Sequence, residues 1–320
     1  MTAADSESPR GRAGTVALVG RPNAGKSTLL NRILAEKVAI VSDKPQTTRN
    51  PIIGILNDDH GQLVFTDTPG VHKPQHQMNR RMVRMAKDAL SDADVACLLI
   101  DVSEPDGKGD QFMRGWIADA GVKTVVLLNK IDRLRDKKRL LPRIALYAEA
   151  GFQDIIPISA RRGDGVDELT RVLWDAVPEG PPVYDPEILT VHPERFQVAE
   201  RIREKVLHQT RDELPFATAV VIDRWEENDG RVVLHASILA ERSGQKKILI
   251  GAGGRTIKAI GTAARIDLER YLGKKVFLDL KVKVEEAWRD SQRILGELER
   301  APLAVDPTVL FPSPSEPPDD

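Results

Sequence analysis

Short apolar, largely β-branched runs alternate with stretches of helical spacing through the first half of the chain. The runs are TVALVG, QLVFTD, VACLLIDV, KTVVLLNK and DIIPIS, and a helix-like stretch follows each of them. This alternation is typical of βαβ units that build a parallel sheet. Because the runs are apolar almost throughout, the pattern favours a sheet covered on both faces. It predicts an α/β domain with a mostly parallel sheet over residues 14–178.

Prolines mark the end of this pattern. Four of them lie from Pro178 to Pro186, and Pro193 follows. They predict a linker over residues 179–194. Residues 195–209 then show helical spacing, and the strand-like runs ATAVVIDRWEE and RVVLHASILAE are joined by the turn NDG.

The remainder of the chain predicts a second, smaller domain. Two helical stretches flank the sequence GAGG, and the strand-like run KVFLDLKVKV follows them. The resulting order, α-β-β-α-α-β, predicts an α+β domain over residues 195–298, whose final helix carries Trp288 as a packing residue. The polar and proline-rich compositions of residues 1–13 and 299–320 predict disorder there.

Length and composition narrow the class of protein. A chain of 320 residues can bury two cores. Cys97 is the single cysteine, so disulfide frameworks and cysteine metal sites are excluded. We find neither a signal-peptide core nor an apolar run of spanning length, so we expect a soluble, cytoplasmic protein.

Charge is distributed unevenly along the chain. The formal net charge is only −1, but from Arg242 to Lys283 there are 11 lysines and arginines against 3 acidic residues. A local excess of this kind points to an anionic partner, most simply nucleic acid, although a solvated charged face would have the same composition.

The sequence GRPNAGKS, Gly20–Ser27, matches the phosphate-binding pattern G-x-x-x-x-G-K-[ST]. It follows a predicted strand and opens a predicted helix, as the phosphate loop requires. Backbone N–H groups there would surround phosphate oxygens, while Lys26 reaches the β- and γ-phosphates and the Ser27 hydroxyl binds Mg²⁺. The candidate GTP-binding residues here are Gly20, Asn23, Ala24, Gly25, Lys26, Ser27 and Thr28.

Three further motifs predict GTP as the nucleotide. In DTPG, Asp67 is predicted to bind Mg²⁺ and the N–H of Gly70 to donate a hydrogen bond to the γ-phosphate. In NKID, an ionised Asp132 can accept hydrogen bonds from both N–H donors of guanine, a pair that adenine lacks, and Lys130 can lie along the base. SAR offers the N–H of Ala160 to guanine O6. The candidates are Asp67, Thr68, Pro69, Gly70, Asn129, Lys130, Asp132, Ser159, Ala160 and Arg161.

The order and spacing of these motifs resemble those of the translation-factor-related GTPases. The resemblance implies that a threonine of QTTRN senses the γ-phosphate through Mg²⁺; we choose Thr48, with Thr47 as the alternative. Ser27, Thr48 and Asp67 then form the metal site, and Lys26, Thr48 and Gly70 the catalytic set. Val71 stands where Ras-type proteins place glutamine, which implies slow intrinsic hydrolysis. Asn23 is typical of members that bind potassium, and we hold K⁺ as a hypothesis.

The sequence ILIGAGGRTIKAIG raises two alternatives. A dinucleotide fingerprint G-x-G-x-x-G fails because its last position falls on Thr256, and because the loop joins two helices. The loop fits the GXXG motif of a KH domain, which clamps the backbone of single-stranded RNA. The candidate RNA-binding residues are Lys246, Lys247, Ile250, Gly251, Ala252, Gly253, Gly254, Arg255 and Lys258.

Residues 14–298 as a whole resemble the Era family of ribosome-associated GTPases, in which a type II KH domain follows the GTPase domain. The resemblance rests on TVALVGRPNAGKSTLLN, QTTRNPIIGIL, FTDTPGVHKP, LNKID, ERIREKVL, ELPF and KKILIGAGGRTIKAIGTAARIDLE. Many relatives carry a lysine inside the GXXG loop, where this chain has Ala252 and Gly253. A weaker or more salt-sensitive phosphate grip is therefore expected.

The resemblance implies that GTP hydrolysis is coupled to maturation of the small ribosomal subunit. The KH domain would bind small-subunit ribosomal RNA near its 3′ end, with no DNA partner. It also implies a cytoplasmic protein with peripheral association at the inner face of the membrane as a further family property. The alternative is a GTPase whose KH-like domain serves as a protein-interaction or dimerisation module, acting on another partner such as a tRNA-modification enzyme.

Overall fold

The structure, a computed structural model, describes residues 11–71, 76–228 and 230–299. Strands and helices alternate through the first domain, as the apolar runs predict. The strands are β1 (Arg12–Gly20), β2 (Ile52–Asp58), β3 (Gly61–Asp67), β4 (Val95–Asp101), β5 (Lys123–Asn129) and β6 (Asp154–Pro157). The helices are α1 (Lys26–Ile33), α2 (Gln77–Ser91), α3 (Lys108–Ala120), α4 (Leu140–Glu149) and α5 (Val166–Ala176).

These strands form one sheet in the order β2-β3-β1-β4-β5-β6, parallel except for the edge strand β2. The prediction of a mostly parallel sheet is confirmed, but β2 was not among the predicted strands. That strand forms a hairpin with β3, so no helix separates the two. Gly54 lies in its middle, where a Cβ atom would come within 2.5 Å of Leu34 and 2.9 Å of Leu30.

Helices cover both faces of the sheet, as the continuous apolar strands predict. On one face α1 and α5 contribute Leu29, Leu30, Leu169, Leu173 and Trp174. On the other face α2, α3 and α4 contribute Ala86, Leu90, Met113, Ile117 and Tyr147. The carboxyl ends of the parallel strands are left for the loops, which is where an open α/β sheet binds its ligands.

A linker was predicted over residues 179–194, but residues 179–193 pack on the first domain and Glu194 already begins the next helix. Tyr184 and Val191 are buried with Ile55 of β2 in a small apolar cluster. The backbone N–H of Ile55 donates to the carbonyl of Leu189 at 2.8 Å. The prolines therefore lie in a segment of bends and turns that packs along the β2 edge of the sheet.

The second domain follows with α6 (Glu194–Gln209), β7 (Thr218–Asn228), β8 (Arg231–Ala240), α7 (Ser243–Ile250), α8 (Arg255–Leu272) and β9 (Lys275–Val284). Its sheet has the order β7-β8-β9, antiparallel and then parallel. This confirms the predicted α-β-β-α-α-β order. Trp288 is buried, as predicted, but it lies in a 3₁₀ turn before the final helix α9 (Gln292–Glu299).

The predicted disordered ends lie mostly outside the described residues. At the amino end the first strand already begins at Arg12, within the range 1–13. At the carboxyl end α9 includes Glu299, and residues 300–320 are not described.

An apolar cluster joins the two domains. Met78 and Met82 of α2 pack against Ala219, Leu239, Trp288, Ile294 and Leu295 of the second domain. Asp290 accepts a hydrogen bond at 2.8 Å from the N–H of Gln77, the first residue of α2. A side chain of the second domain thereby satisfies one of the unpaired N–H groups at the start of that helix.

Candidate nucleotide and nucleic-acid sites

A cavity of about 800 Å³ opens at the carboxyl ends of the parallel strands. It is lined by Asn23, Ala24, Gly25, Lys26, Ser27, Thr28, Thr48, Gly70, Asn129, Lys130, Asp132, Ala160 and Arg161, all of them candidates from the sequence. The remaining candidates, Gly20, Asp67, Thr68, Pro69 and Ser159, are not part of this lining. Separate motifs along the chain thus meet around one space.

The phosphate loop turns from β1 into α1. Gly20 has φ +151°, and a Cβ atom there would lie 2.6 Å from the carbonyl of Leu99, so the tight turn requires glycine. Lys26 is buried, and its ammonium donates to the carbonyls of Gly20 and Arg21 at 3.1 and 3.2 Å. Burial lowers the pKa of Lys26. A buried ammonium held by two neutral carbonyls gains strongly from an anionic partner.

Three oxygen-bearing side chains meet beside Lys26. The hydroxyl of Ser27 donates to Asp67 Oδ2 at 2.6 Å, and the Thr48 hydroxyl lies 2.9 Å from that of Ser27 and 3.1 Å from Asp67 Oδ2. Asp67 Oδ1 is buried without a hydrogen-bond partner, and burial raises the pKa of this carboxyl. Hard oxygen donors around an incompletely satisfied carboxylate suit Mg²⁺, which keeps only one or two carboxylate ligands beside phosphates. The residues present therefore fit the ion that the sequence predicts.

In the DTPG motif, Gly70 lines the cavity and Thr68 stabilises the fold. A Cβ atom on Gly70 would come within 2.8 Å of Pro22, so only glycine allows this approach to the phosphate loop. Thr68 was a GTP-binding candidate, but its hydroxyl donates to the carbonyl of Leu18 at 2.7 Å and it does not line the cavity. Its role in the structure is to fix the end of β3 against β1. Val71 is buried in the core.

Asn129 organises the opposite end of the cavity. Its amide donates to the carbonyl of Ala24 at 2.7 Å, and its Oδ1 accepts from the N–H of Ala160 at 3.0 Å. Asn129 therefore ties the phosphate loop to the SAR loop. The N–H of Ala160 is bonded within the protein here, so its contact with guanine O6 stays a prediction.

The carboxylate of Asp132 faces the cavity and is held in place. Ser159 donates to its Oδ1 at 2.7 Å. Burial raises the pKa of Asp132, but the hydrogen bond from Ser159 and nearby cationic groups outweigh burial and the net shift is downward. Lys130 lines the cavity and forms an ion pair with Asp101, while the packing of its aliphatic stem along the base stays a prediction. An ionised, oriented carboxylate is the group needed to accept both guanine N–H donors.

Three of the six non-glycine residues with positive φ in the described part of the chain lie at this cavity. Asn23, Gln46 and Lys130 have φ values of +62°, +59° and +68°, and all three line the cavity. Non-glycine residues rarely adopt this region, and such positions cluster at ligand sites. The amide of Asn23 donates to the carbonyl of Asp43 at 2.7 Å, which links the phosphate loop to the segment carrying Thr48.

The GXXG loop lies between α7 and α8 with its backbone exposed. Gly251 has φ +74° and ψ 169°, and Gly253 and Gly254 also have positive φ. Lys247, Arg255 and Lys258 are exposed beside them. The positive end of α8 thus points into a loop flanked by cations, an arrangement suited to a phosphodiester backbone. Ile250 is partly buried against the domain core.

Sequence reasoning missed the residues that tie the second domain to the nucleotide site. Arg203 of α6 donates to the carbonyl of Thr47, and Glu204 accepts from the N–H of Val41 at 3.0 Å. Arg49 donates to three carbonyls of the second domain, those of Pro215, Phe216 and Thr218, at 2.6 to 3.2 Å. The sequence indicates these contacts only through the run of charges in ERIREKVL, and a solvent-exposed helix face would have the same composition.

Comparisons with known proteins match both domains. Residues 15–130 match the model described as 50S ribosome-binding GTPase, and residues 213–289 match the KH domain model. GTPase Era of Geobacter metallireducens is 47% identical over 290 residues, which cover 90% of this chain and 97% of that protein. The chain belongs to the Era family of GTPases.

Another relative, GTPase Era of Leuconostoc citreum, is 48% identical over 291 residues, 90% of this chain and 96% of that one. Among solved structures, Era of Aquifex aeolicus bound to GDP and aluminium fluoride has a TM-score of 0.87 at 36% identity, covering 90% of this chain and 99% of that one. Era in complex with MgGDPNP and nucleotides 1506–1542 of 16S ribosomal RNA has a TM-score of 0.88, with the same identity and coverage. These matches confirm the GTPase and KH assignments made from the motifs.

Proposed function

We propose that this GTPase is a switch that binds small-subunit ribosomal RNA near its 3′ end and assists maturation of the small ribosomal subunit. The relative solved with MgGDPNP and a 16S RNA fragment supports the RNA and nucleotide classes. The observation that carries the proposal is the contact of the second domain with the residues beside Thr48 and with the start of α2. Arg203 donates to the carbonyl of Thr47, Arg49 donates to carbonyls of the second domain, and Asp290 accepts from the N–H of Gln77 at the start of α2.

Each nucleotide-site residue has a role that follows from its position. Lys26 neutralises the β- and γ-phosphates, and the N–H of Gly70 donates to the γ-phosphate. Mg²⁺, held by Ser27, Thr48 and Asp67, would neutralise charge on the transferred group. Asp132 selects guanine. Since Val71 has no polar group to orient water, we expect slow hydrolysis in the absence of a partner.

Coupling between the sites would follow from their shared contacts. The γ-phosphate and Mg²⁺ would order the segments around Thr48 and Gly70, and the residues beside Thr48 and the start of α2 contact the second domain. GTP would therefore favour one placement of the KH domain and hydrolysis would release it. RNA must then bind the two nucleotide states with different affinities, because a ligand with equal affinity shifts no equilibrium.

Potassium is the second cofactor that we propose. Asn23 places its side chain at the junction of the phosphate loop and the carbonyl of Asp43, where carbonyl and amide oxygens could surround a monovalent cation. We expect faster turnover in K⁺ than in Na⁺ at equal ionic strength. Equal turnover rates in K⁺ and Na⁺ would contradict a role for potassium.

The RNA grip can be tested with paired charge removals. Arg255→Ala combined with Lys258→Ala should weaken binding of single-stranded 3′-end small-subunit RNA and flatten its salt dependence by about one unit of slope per lost phosphate contact. The control combines Lys137→Ala with Lys138→Ala, which removes the same charge from exposed positions of the first domain. Equal losses in the two pairs would argue for non-specific attraction, and no RNA binding by the unmodified protein would favour the protein-interaction alternative.

Cellular location follows from the proposed partner. A protein that acts on the small ribosomal subunit works in the cytoplasm. No helix among the described residues is long and apolar enough to cross a membrane. Peripheral membrane association stays a prediction of the family resemblance.

A further inference from the structure

The segment between α1 and β2, residues 34–51, carries Thr48 but contains no helix or strand. We call it the α1–β2 segment. Part of its backbone is hydrogen-bonded by the first domain, through Asn31 at residues 38 and 39 and through Asn23 at residue 43. Nearer Thr48, the first domain contributes side-chain bonds: the Thr47 hydroxyl donates to the carbonyl of Lys44, and the Thr48 hydroxyl meets Ser27 and Asp67.

Helix α6 supplies further bonds to the same backbone. Arg201 donates to the carbonyl of Lys37 at 2.8 Å, Glu204 accepts from the N–H of Val41, and Arg203 donates to the carbonyl of Thr47. The Lys37 ammonium also meets Glu204 at 2.6 Å. A helix of the second domain thus bonds the α1–β2 segment near both of its ends.

The side chains that form these bonds are charged and buried. Arg203 is 2% exposed and Glu204 is 4% exposed. Removing charges from water costs several kcal/mol per ion, and apolar residues would join two surfaces with less penalty. What the buried charges add is directional bonding to particular backbone atoms. Their function is therefore placement of the α1–β2 segment as well as adhesion between domains.

Arg203 is the member closest to the reaction. Glu200 fixes its guanidinium with bonds of 2.7 and 2.5 Å, and the guanidinium in turn holds the carbonyl of Thr47. The next residue, Thr48, has its hydroxyl beside Ser27 and Asp67. We propose that Arg203 is a positioning residue for GTP hydrolysis, holding the Thr48 hydroxyl in place through the Thr47 carbonyl. This inference rests on the proposed role of Thr48 in binding Mg²⁺ and sensing the γ-phosphate.

A positioning role predicts a nucleotide-selective defect. GDP has no γ-phosphate, so its affinity should depend little on Thr48. A non-hydrolysable GTP analogue should lose affinity, and turnover should fall with it. A residue that only stabilised the protein would change both nucleotides together.

The test uses the full chain without RNA, so that it does not depend on RNA coupling. In Arg203→Ala we expect affinity for the GTP analogue and kcat to fall about tenfold, the effect of losing one charge-assisted hydrogen bond, with GDP affinity retained within about twofold. The Mg²⁺ concentration needed for half-maximal turnover should rise. Arg203→Lys should restore part of the loss, since an ammonium can still donate to one carbonyl.

The matched control is Arg195→Ala in the same helix. Arg195 donates to the carbonyl of Ile222 at 2.6 Å, a contact within the second domain. We expect its nucleotide affinities and kcat to equal those of the unmodified protein. An equal, selective loss in this variant would overturn the inference.

A double-mutant cycle with Thr48→Ala tests the positioning role of Arg203 separately from the proposed role of Thr48. In the Thr48→Ala background, Arg203→Ala should cause no further loss, because the two residues act through one hydroxyl. Additive losses, or an equal loss of GDP and GTP-analogue affinity in Arg203→Ala, would overturn the positioning role. If Thr48→Ala itself left GTP-analogue affinity unchanged, the proposed role of Thr48 would fail instead.

A second variant covers the case in which Arg203→Ala does not fold, as judged by circular dichroism. Glu200→Gln weakens the carboxylate that orients the guanidinium but leaves the Thr47 contact possible. We expect a smaller loss with the same selectivity for the GTP analogue. A loss shared equally by GDP would contradict the inference.

Discussion

Asp132→Asn should transfer base preference from guanine towards xanthine. In the structure Ser159 donates to Asp132 Oδ1, and the carboxylate faces the nucleotide cavity. Guanine presents two N–H donors to this carboxylate. Asparagine keeps one carbonyl acceptor, while its NH₂ group opposes the second donor.

The magnitude follows from these bonds. One charge-assisted hydrogen bond is lost and one donor is left unpaired, which together cost about 3 kcal/mol, or on the order of 100-fold in affinity. Xanthine has a carbonyl at C2, so the same asparagine NH₂ group can donate to it. The affinity for xanthosine diphosphate should therefore rise while that for GDP falls.

Isothermal titration with GDP and with xanthosine diphosphate measures both changes. Asp119→Asn is the control, because Asp119 is an exposed aspartate on α3, away from the cavity lining. It should bind both nucleotides as the unmodified protein does. A GDP affinity within about twofold of the unmodified value in Asp132→Asn would refute the assignment of the base pocket, since even a weak hydrogen bond is worth more.

Three further predictions concern other parts of the molecule. Lys26→Ala should lower GTP affinity by about 100-fold or more, measured by fluorescent-nucleotide titration, while RNA affinity of the nucleotide-free protein is unchanged. Gly251→Ala puts a side chain on a backbone with positive φ, which costs about 1–3 kcal/mol of strain. RNA affinity in a gel-shift assay should therefore fall about tenfold. The control Gly244→Ala should have no effect, because a Cβ atom at Gly244 would meet no atom within 4 Å. Burial raises the pKa values of Glu204 and Asp267, but their ion pairs outweigh burial and the net pKa shifts are downward. The two ion-paired carboxylates therefore stabilise the folded protein above their ordinary pKa values of 4.5 and 3.8. This stabilisation is lost as the pH falls through the lower pKa values of the folded state. Thermal melts should therefore show Glu204→Gln less stable than the unmodified protein at neutral pH, with the difference vanishing in acid; a difference that persisted in acid would contradict the ion-pair account.

The phosphate loop and the base-recognition motifs could be predicted because their chemistry is local. Gly20–Ser27 forms its turn from consecutive residues, and Asp67 and Asp132 follow strands whose carboxyl ends meet at one edge of a parallel sheet. Strand and helix periodicity was enough to bring these motifs together. The GXXG loop was recognised for the same reason, since its glycines and flanking cations are contiguous.

Features that depend on tertiary contacts were not predictable. Strand β2 was missed because a glycine interrupts its apolar run and a two-residue turn joins it to β3. Residues 179–193 looked like a linker because their proline content resembles that of an exposed segment, whereas Tyr184 and Val191 are buried. Thr68 was assigned to the nucleotide because it lies inside a motif, and the hydrogen bond of its hydroxyl to the carbonyl of Leu18 was not predicted.

The contact of Arg203 with Thr47 illustrates the general limit. The two residues are 156 positions apart, so their meeting depends on how two complete domains pack. In the sequence, Arg203 is one of several charged residues on a predicted helix, and its burial cannot be predicted. Only the packing of α6 against the α1–β2 segment distinguishes it from its neighbours.

In the proposed switch, nucleotide state controls RNA affinity. The most direct measurement is the affinity of the full-length protein for single-stranded small-subunit 3′-end RNA, with a non-hydrolysable GTP analogue and then with GDP, across a salt series. The account predicts tighter binding in the GTP state, with affinity falling as salt rises. Equal affinity in the two states would contradict the switch, and absence of binding in both would contradict the RNA function itself.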